Sequence, residues 1–324
     1  MSFKQQYRSH LKTSKSQSSP IFKFDMTNCQ NCSTIQILAI PLRNSITGVQ
    51  EVKILITGAN TGIGFATAEQ LVKQGQHVIL ACRNPQKAQQ AQNKLRALDQ
   101  GQVDLISLDL NSLELTRKAA DEIADRYGNL DVLINNAGLF AKTKQLTADG
   151  FEQQFGVNYL GHFLLTQKLL PVLKQSPQAR IVHLASIAHW AGSIKPNKFR
   201  AEGFYNPLFY YGQSKLANLL LSNALAEQLA DSSITNNALH PGGVASDIYR
   251  DLPKPVYAAM KLGLVPTSVP ANLISKMAIG DEWKNRNGEY VSAHMPDWKS
   301  PHAKNQQLAR DLYQQSMQLV EKFL

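Results

Sequence analysis

From Lys53 onward, short and almost wholly apolar runs alternate with longer stretches of helical spacing. The apolar runs are Lys53–Thr57, His77–Cys82, 103–108, 130–134, 180–185 and 234–240, with 289–292 as a seventh. Their length, and the Gly, Asn or Asp that follows several of them, suits buried strands. Between them, 62–74, 85–98, 112–127, 149–174 and 211–230 read as helices. In the first of these the apolar positions are Ile63, Ala66, Ala68, Leu71 and Val72. The second starts just after Asn84, with Pro85 in a first-turn position that has no need of its N–H. Strands that are apolar on both faces and alternate with helices predict a parallel sheet covered on both sides. The expectation is therefore an α/β fold of the Rossmann type, a doubly wound parallel sheet of about seven strands.

Two stretches break the rhythm. Residues 187–210 are rich in Gly, Pro, Phe and Tyr, and residues 241–270 hold five prolines. Both follow carboxyl ends of predicted strands, where open α/β sheets bind ligands, and long loops in compact domains tend to be functional. Residues 1–50 are different again, being polar and Ser/Gln/Lys-rich, and are expected to form a disordered extension ahead of a single domain over 51–324. Charge changes the picture only there. The chain carries a net +10, and residues 1–50 contribute six Lys/Arg against Asp25, leaving +5 for the rest. A nucleic-acid partner is not expected of so mildly basic a folded part. The three cysteines give no disulfide framework, and Cys29 and Cys32 form a lone C-x-x-C with no further ligand nearby, so no metal site is expected. No apolar run approaches the length of a membrane span. The expected location is cytoplasmic, with peripheral membrane contact through the basic tail or apolar loops left open.

The chemistry begins at Thr57, Gly58, Ala59, Asn60, Thr61, Gly62, Ile63 and Gly64 (TGANTGIG), which follow the first strand and open the first helix. Glycines there allow a tight turn and close backbone approach, and a helix N-terminus offers free N–H groups to a pyrophosphate. The second strand ends Ala81, Cys82, Arg83. An acid at this position would hold a ribose 2′-hydroxyl; an arginine suits a 2′-phosphate, so NADP(H) is favoured over NAD(H). Further on, Tyr211 and Lys215 (YGQSK) are one helical turn apart, which sets an ammonium beside a phenol. A cation favours the phenolate and brings a phenol, ordinarily titrating near ~10, toward acid–base use at neutrality. Tyr257 and Lys261 repeat the spacing, but between prolines in the second loop, where a pocket wall or lid is the better reading.

Taken in order, these motifs resemble the short-chain dehydrogenase/reductase family over residues 52–324. The resemblance rests on Thr57 to Gly64, Asp109 with Leu110, the run Asn135, Asn136, Ala137, Gly138, then Asn158, Ser186, Tyr211 with Lys215, and Pro241 through Val244 to Ser246. Within the family, the segments ACR ending at Arg83, DGFE from Asp149, GVNYLGHFLL from Gly156 and SKLAN from Ser214 are similar to the retinol dehydrogenase group. One departure is Ala185 before Ser186, where that group shows two serines. The resemblance implies a hydride-transferring oxidoreductase acting on a carbonyl/alcohol pair. It implies Ser186 as donor to the substrate oxygen, Tyr211 as acid or base, Lys215 on the phenol and the nicotinamide ribose, and Asn158 as holder of a water linking Lys215 to solvent. For the cofactor it implies Gly58, Asn60, Thr61, Gly62, Ile63, Gly64, Arg83, Asp109, Leu110, Asn135, Ala137, Gly138, Tyr211, Lys215, Pro241, Val244 and Ser246.

The loop aromatics Trp190, Phe199, Phe204, Tyr205, Phe209, Tyr249 and Tyr257, with Val256 and Met260, suggest a bulky apolar substrate, retinal-like, steroid-like or another lipophilic aldehyde or ketone. A homo-oligomer is expected from the resemblance, with helices 112–127 and 149–174 as contact surfaces. The reading from another class is a non-catalytic NADP(H)-sensing protein on the same fold; the intact Ser, Tyr and Lys argue against it. His162, His183 and His189 are expected in core or loop positions rather than as catalysts.

Overall fold

The computed structural model describes residues 51–244 and 265–324. Cys29, Cys32, Ser246, Tyr249, Val256, Tyr257, Met260 and Lys261 lie outside the described residues. The strands are β1 (Lys53–Thr57), β2 (His77–Cys82), β3 (Gln102–Ser107), β4 (Val132–Asn135), β5 (Arg180–Leu184), β6 (Thr235–His240) and β7 (Tyr290–Ser292). They form one sheet in the order β3-β2-β1-β4-β5-β6-β7, every neighbouring pair parallel. The order reverses between β1 and β4, which opens a crevice at the carboxyl ends of those two strands.

Period-two alternation splits the core into two halves. Ile54, Ile56, Val78, Leu80, Val132, Ile134, Val182 and Leu184 face one side, packed by α1 (Gly62–Lys73), α2 (Pro85–Arg96) and α7 (Ser268–Ile279). Leu55, Ile79, Ala81, Leu133 and Ile181 face the other. That side is covered by α3 (Leu113–Tyr127), α5 (Gly161–Leu173), α6 (Pro207–Gln228) and α8 (Gln306–Val320). This is the doubly wound parallel sheet expected from the sequence.

The helices expected over 149–174 and 211–230 depart most from the sequence-based expectation. The helix expected over 149–174 begins only with α4 (Gln153–Phe155), because Gly150 takes φ +78° and Leu146 pairs with Glu152 in an antiparallel bridge. The buried Glu152 carboxylate then caps it, accepting from Gln154 N at 3.1 Å and Phe155 N at 2.8 Å. Residues Gly156–Leu160 are wound as a π-helix before α5 resumes. The helix expected from residue 211 starts a turn earlier at Pro207, since Asn206 accepts from the N–H groups of Leu208 and Phe209. Tyr211 therefore sits one turn inside α6, on a rigid element rather than at its fraying end.

Helix α8 closes the outer side of α5 and α6. Tyr159 and Ser316 share a buried hydrogen bond of 2.7 Å, Tyr313 meets Phe163 edge-on with centroids 5.2 Å apart, and Leu312 is buried in the same core. Leu312→Ala is expected to cost about 2–5 kcal/mol of unfolding free energy, the range for a large-to-small change in a packed core. Urea denaturation measures it, and a loss below about 0.5 kcal/mol, the level of an ordinary surface change, would show that α8 is not part of the folding core.

Candidate active site

At the carboxyl ends of the strands lies a cavity of about 670 Å³. One end is built by the turn from β1 to α1. Gly58 and Gly62 take φ +66° and +57°, left-handed values that glycine adopts freely. Thr61, the N-cap of α1, makes no side-chain hydrogen bond to the helix, and the first turn has no acid. The first-turn N–H groups thus face the cavity without a capping side chain, a cradle suited to a pyrophosphate. Gly64 is needed for close packing, because a Cβ there would lie 2.6 Å from the Gly58 carbonyl oxygen. Arg83, Asn84 and Lys87 line the same end. Asn84 caps α2 by accepting from Lys87 N at 2.8 Å, which fixes Lys87 one turn from Arg83.

Thr57 ties this turn to the floor beneath. Its Oγ1 accepts from Asn136 N and Ala137 N, both at 2.9 Å, and meets His162 Nε2 at 2.8 Å. His162 Nδ1 faces the Asn158 carbonyl at 3.0 Å. A carbonyl only accepts, so the proton sits on Nδ1, Nε2 accepts, and the Thr57 hydroxyl donates to it. Burial drives the His162 pKa down to about 3 and keeps the ring neutral. Asn158 is fully buried within the π-helical turn, below the cavity rather than on its wall. Its Oδ1 accepts from Leu139 N at 2.8 Å, and its Nδ2 donates to Leu139 O at 3.0 Å and to Ser214 Oγ at 3.1 Å. Its carbonyl receives the His162 proton on one of its two lone pairs.

Lys215 and Tyr211 come from α6. The Lys215 ammonium donates to the Leu184 carbonyl at 2.9 Å and lies 5.8 Å from the centroid of the Tyr211 ring. Burial lowers the Lys215 pKa to about 8. The Tyr211 ring rests edge-on against Phe140, centroids 5.5 Å apart. Ser186 follows β5 and caps the short 3-10 turn Ile187–Ala191. Its Oγ accepts from Ala188 N at 3.2 Å, which leaves the hydroxyl proton for another acceptor. That turn is pressed onto α6, since a Cβ on Gly212 would meet Ala188 O and Gly192 N at 2.8 Å.

Most residues expected at a cofactor site line this one cavity: Gly58, Asn60, Thr61, Gly62, Ile63, Gly64, Arg83, Asp109, Leu110, Ala137, Gly138, Tyr211, Lys215, Pro241 and Val244, together with Ser186. Asn135 does not. Its amide points into the core and meets Thr166 Oγ1 at 3.0 Å and His183 Nδ1 at 3.2 Å, while its neighbour Asn136 reaches the cavity. Ser246 lies outside the described residues. Residues not expected from sequence also line it, among them Lys87, Leu139, Ile187, His240 and Met295. Lys87 was signalled by its place three residues beyond the N-cap Asn84, whereas Met295 arrives from a loop distant in sequence and carried no signal.

The aromatics of residues 187–210 are placed elsewhere. Phe199 stacks on Phe155 in the core (4.1 Å between centroids), Tyr205 bonds Ala141 O and Glu152, Phe209 lies under Lys195, Trp190 shares a surface hollow with Trp298, and Phe204 is 87% exposed. Among the described residues no cluster of three or more His, Cys, Asp or Glu is arranged to hold a metal ion. No helix among them is long and apolar enough to cross a membrane.

Residues 52–256 match the family model for short chain dehydrogenase. Retinol dehydrogenase 12 of Mus musculus is 39% identical over 270 residues, covering 82% of this chain and 85% of that protein. A crystal structure of an uncharacterized protein from Mycobacterium paratuberculosis is 34% identical, with a TM-score of 0.67 over 83% of this chain and 93% of that one. A short chain dehydrogenase from Burkholderia cenocepacia J2315, solved in complex with NADP, is 25% identical, with a TM-score of 0.62 over 75% of this chain and 95% of that one.

Substituting Gly64→Ala is expected to destabilise the fold by about 1–3 kcal/mol, since the new methyl meets backbone and the turn must shift. Gly138→Ala is the comparison, because its Cβ would find ordinary contacts at 3.4 and 3.6 Å. Equal denaturation midpoints for the two variants would contradict the close-packed turn.

Proposed function

The chain belongs to the short-chain dehydrogenase family, with similarity to its retinol dehydrogenases, and from that premise we propose an NADP(H)-dependent oxidoreductase acting on a bulky apolar carbonyl or alcohol. The observation that carries the reading is the convergence of Ser186, Tyr211 and Lys215 on one cavity whose other end holds the glycine turn and Arg83. The residues present fit a phosphorylated dinucleotide: uncapped helix amides for the pyrophosphate, and Arg83 with Lys87 for a 2′-phosphate. When bound, the dinucleotide supplies or accepts the hydride.

The chain's own residues handle the oxygen and its proton. Ser186, with Oγ already accepting from Ala188 N, directs its proton at the substrate oxygen. Tyr211 donates a proton to that oxygen in reduction and takes one in oxidation. Lys215 places a positive charge beside the phenol and favours its ionised form. Asn158 braces Leu139 on the cavity lining and Ser214 beside Lys215 on α6. Among the described lining residues Leu139, Ile187 and Met295 are apolar, which supports a lipophilic substrate. The catalytic unit on this reading is a single domain from residue 51 onward, and any homo-oligomer would form through surfaces other than the part of α6 that α8 covers.

A screen of aldehydes and ketones of graded size, followed by NADPH oxidation, tests the activity. Tyr211→Phe is expected to lower kcat by roughly 100-fold or more, the scale of a lost general acid, with NADPH still bound. An undiminished rate would remove Tyr211 from the mechanism, and NADPH binding without turnover of any substrate would favour the sensing protein instead. Cofactor choice has its own test. Arg83→Glu is expected to raise KM for NADPH about tenfold or more, by replacing a charge-assisted pair with repulsion, while leaving NADH use intact. A wild-type protein that prefers NADH would overturn the assignment.

A further inference from the structure

Two histidines grip opposite ends of one peptide group, the one that joins Ser186 to Ile187. Its carbonyl accepts from His189 Nδ1 at 2.7 Å and from the His189 backbone N–H at 3.1 Å. Its N–H, that of Ile187, donates to His240 Nδ1 at 3.3 Å; the same nitrogen takes the Gly242 N–H at 3.4 Å. A carbonyl only accepts, so His189 carries its proton on Nδ1. Its Nε2 must then accept, and does so from Ser300 N at 3.1 Å. A backbone N–H only donates, so neutral His240 carries its proton on Nε2. The two rings therefore hold opposite tautomers, each dictated by the end of the peptide it faces.

Both rings are buried, His189 fully and His240 to 4% exposure. Burial lowers the pKa of His189, and burial aided by nearby positive charge lowers that of His240 to about 4. Both thus stay in the neutral form the grip requires. Each ring also reaches to a distant segment. His189 ties the Ser186 turn to Ser300, and His240 ties it to Gly242 in the turn after β6.

We propose that His189 and His240 are positioning residues that fix the plane of the Ser186–Ile187 peptide and through it the aim of the Ser186 hydroxyl. The physical reason is that rotation about Ser186 ψ or Ile187 φ tilts this plane and swings Ala188 relative to the Ser186 side chain. Such a tilt would carry Ala188 N away from Ser186 Oγ and turn the hydroxyl from the substrate oxygen. Clamping both the C=O and the N–H removes that freedom. The bonds to His240 are long, so His189 contributes the larger share. The proposal rests on the reading of Ser186 as donor to the substrate oxygen.

The test uses the full chain and a carbonyl substrate that it reduces with NADPH. Leucine at either position keeps bulk and removes the hydrogen bond. Asparagine places an amide N–H or oxygen near the former Nδ1. His189→Leu is expected to lower kcat about tenfold and His240→Leu about threefold, as hydrogen-bonded positioning contacts do. Their NADPH dissociation constants should stay within about twofold of wild type, and His189→Asn and His240→Asn should recover most of the rate. Wild-type kcat in both leucine variants would overturn the clamp. Should those variants not fold, nitrogen NMR of the histidine-labelled wild-type protein decides: opposite tautomers at 189 and 240 support the proposal and like tautomers overturn it. Ser186→Ala separates the two layers. Full activity there would defeat the underlying reading of Ser186, whereas an inactive Ser186→Ala beside fully active leucine variants would defeat the clamp alone.

Discussion

Much of the site depends on a backbone-to-backbone contact between two glycines. Gly192 closes the turn that follows Ser186, and Gly212 follows Tyr211 on α6. Neither position has room for a Cβ, because each meets the main chain of the other segment. This approach lets a loop rest directly on a helix and brings Ser186 and Tyr211 to the same wall. The other end of the join is Lys215, one turn further along α6, whose ammonium donates to the carbonyl of Leu184 at the end of β5. Strand end, turn and helix are thereby fastened at two points, one steric and one electrostatic. Precise placement of catalytic groups of this kind comes from rigid elements with supporting contacts.

Burying that ammonium has consequences for its neighbours. Lys215 is 5% exposed, and among the described residues nearby no carboxylate pairs with it. The positive charge is held by the Leu184 carbonyl and lies over the Tyr211 ring instead, so it remains available to a phenol and to an anionic ligand. The histidines around it cannot share the charge. His162 and His240 are both pushed to lower pKa, first by burial and in part by Lys215 itself. They serve as neutral bridges with defined tautomers. The floor beneath Ser186 and Tyr211 thus concentrates its formal charge on Lys215 and uses imidazoles only for direction.

Much of this was legible in the chain because it is local. Apolar runs with period-two faces marked the strands, and the glycine spacing after β1 marked the turn that the structure shows with two left-handed glycines. The pair Asn135 and Asn136 shows how finely such reading must be done. Asn135 is the last residue of β4 and continues the face of Leu133, so alternation sends its amide into the core, and Asn136 is left to reach the cavity. What was not legible depends on contacts between distant segments. The aromatic residues of 187–210 looked like a pocket wall, but Phe199 finds Phe155 and Tyr205 finds Ala141 and Glu152, partners that sequence spacing does not reveal. Met295 and Ser300 reach the Ser186 region from beyond β7 for the same reason.

The distribution of charge along the cavity links these observations to ligand choice. Arg83 and Lys87 stand at one end, the uncapped amides of α1 lie between, and Lys215 stands near the other end. Leu139, Ile187 and Met295 add apolar side chains to the described lining. A ligand with two anionic groups, a polar ring and then an uncharged reacting partner satisfies each segment in turn, while a charged substrate would leave its ionic group against apolar wall at a cost that desolvation makes large. Among the described lining residues, Ile187 and Met295 are therefore the positions where an introduced cation should favour acidic substrates without touching Arg83 or Lys87.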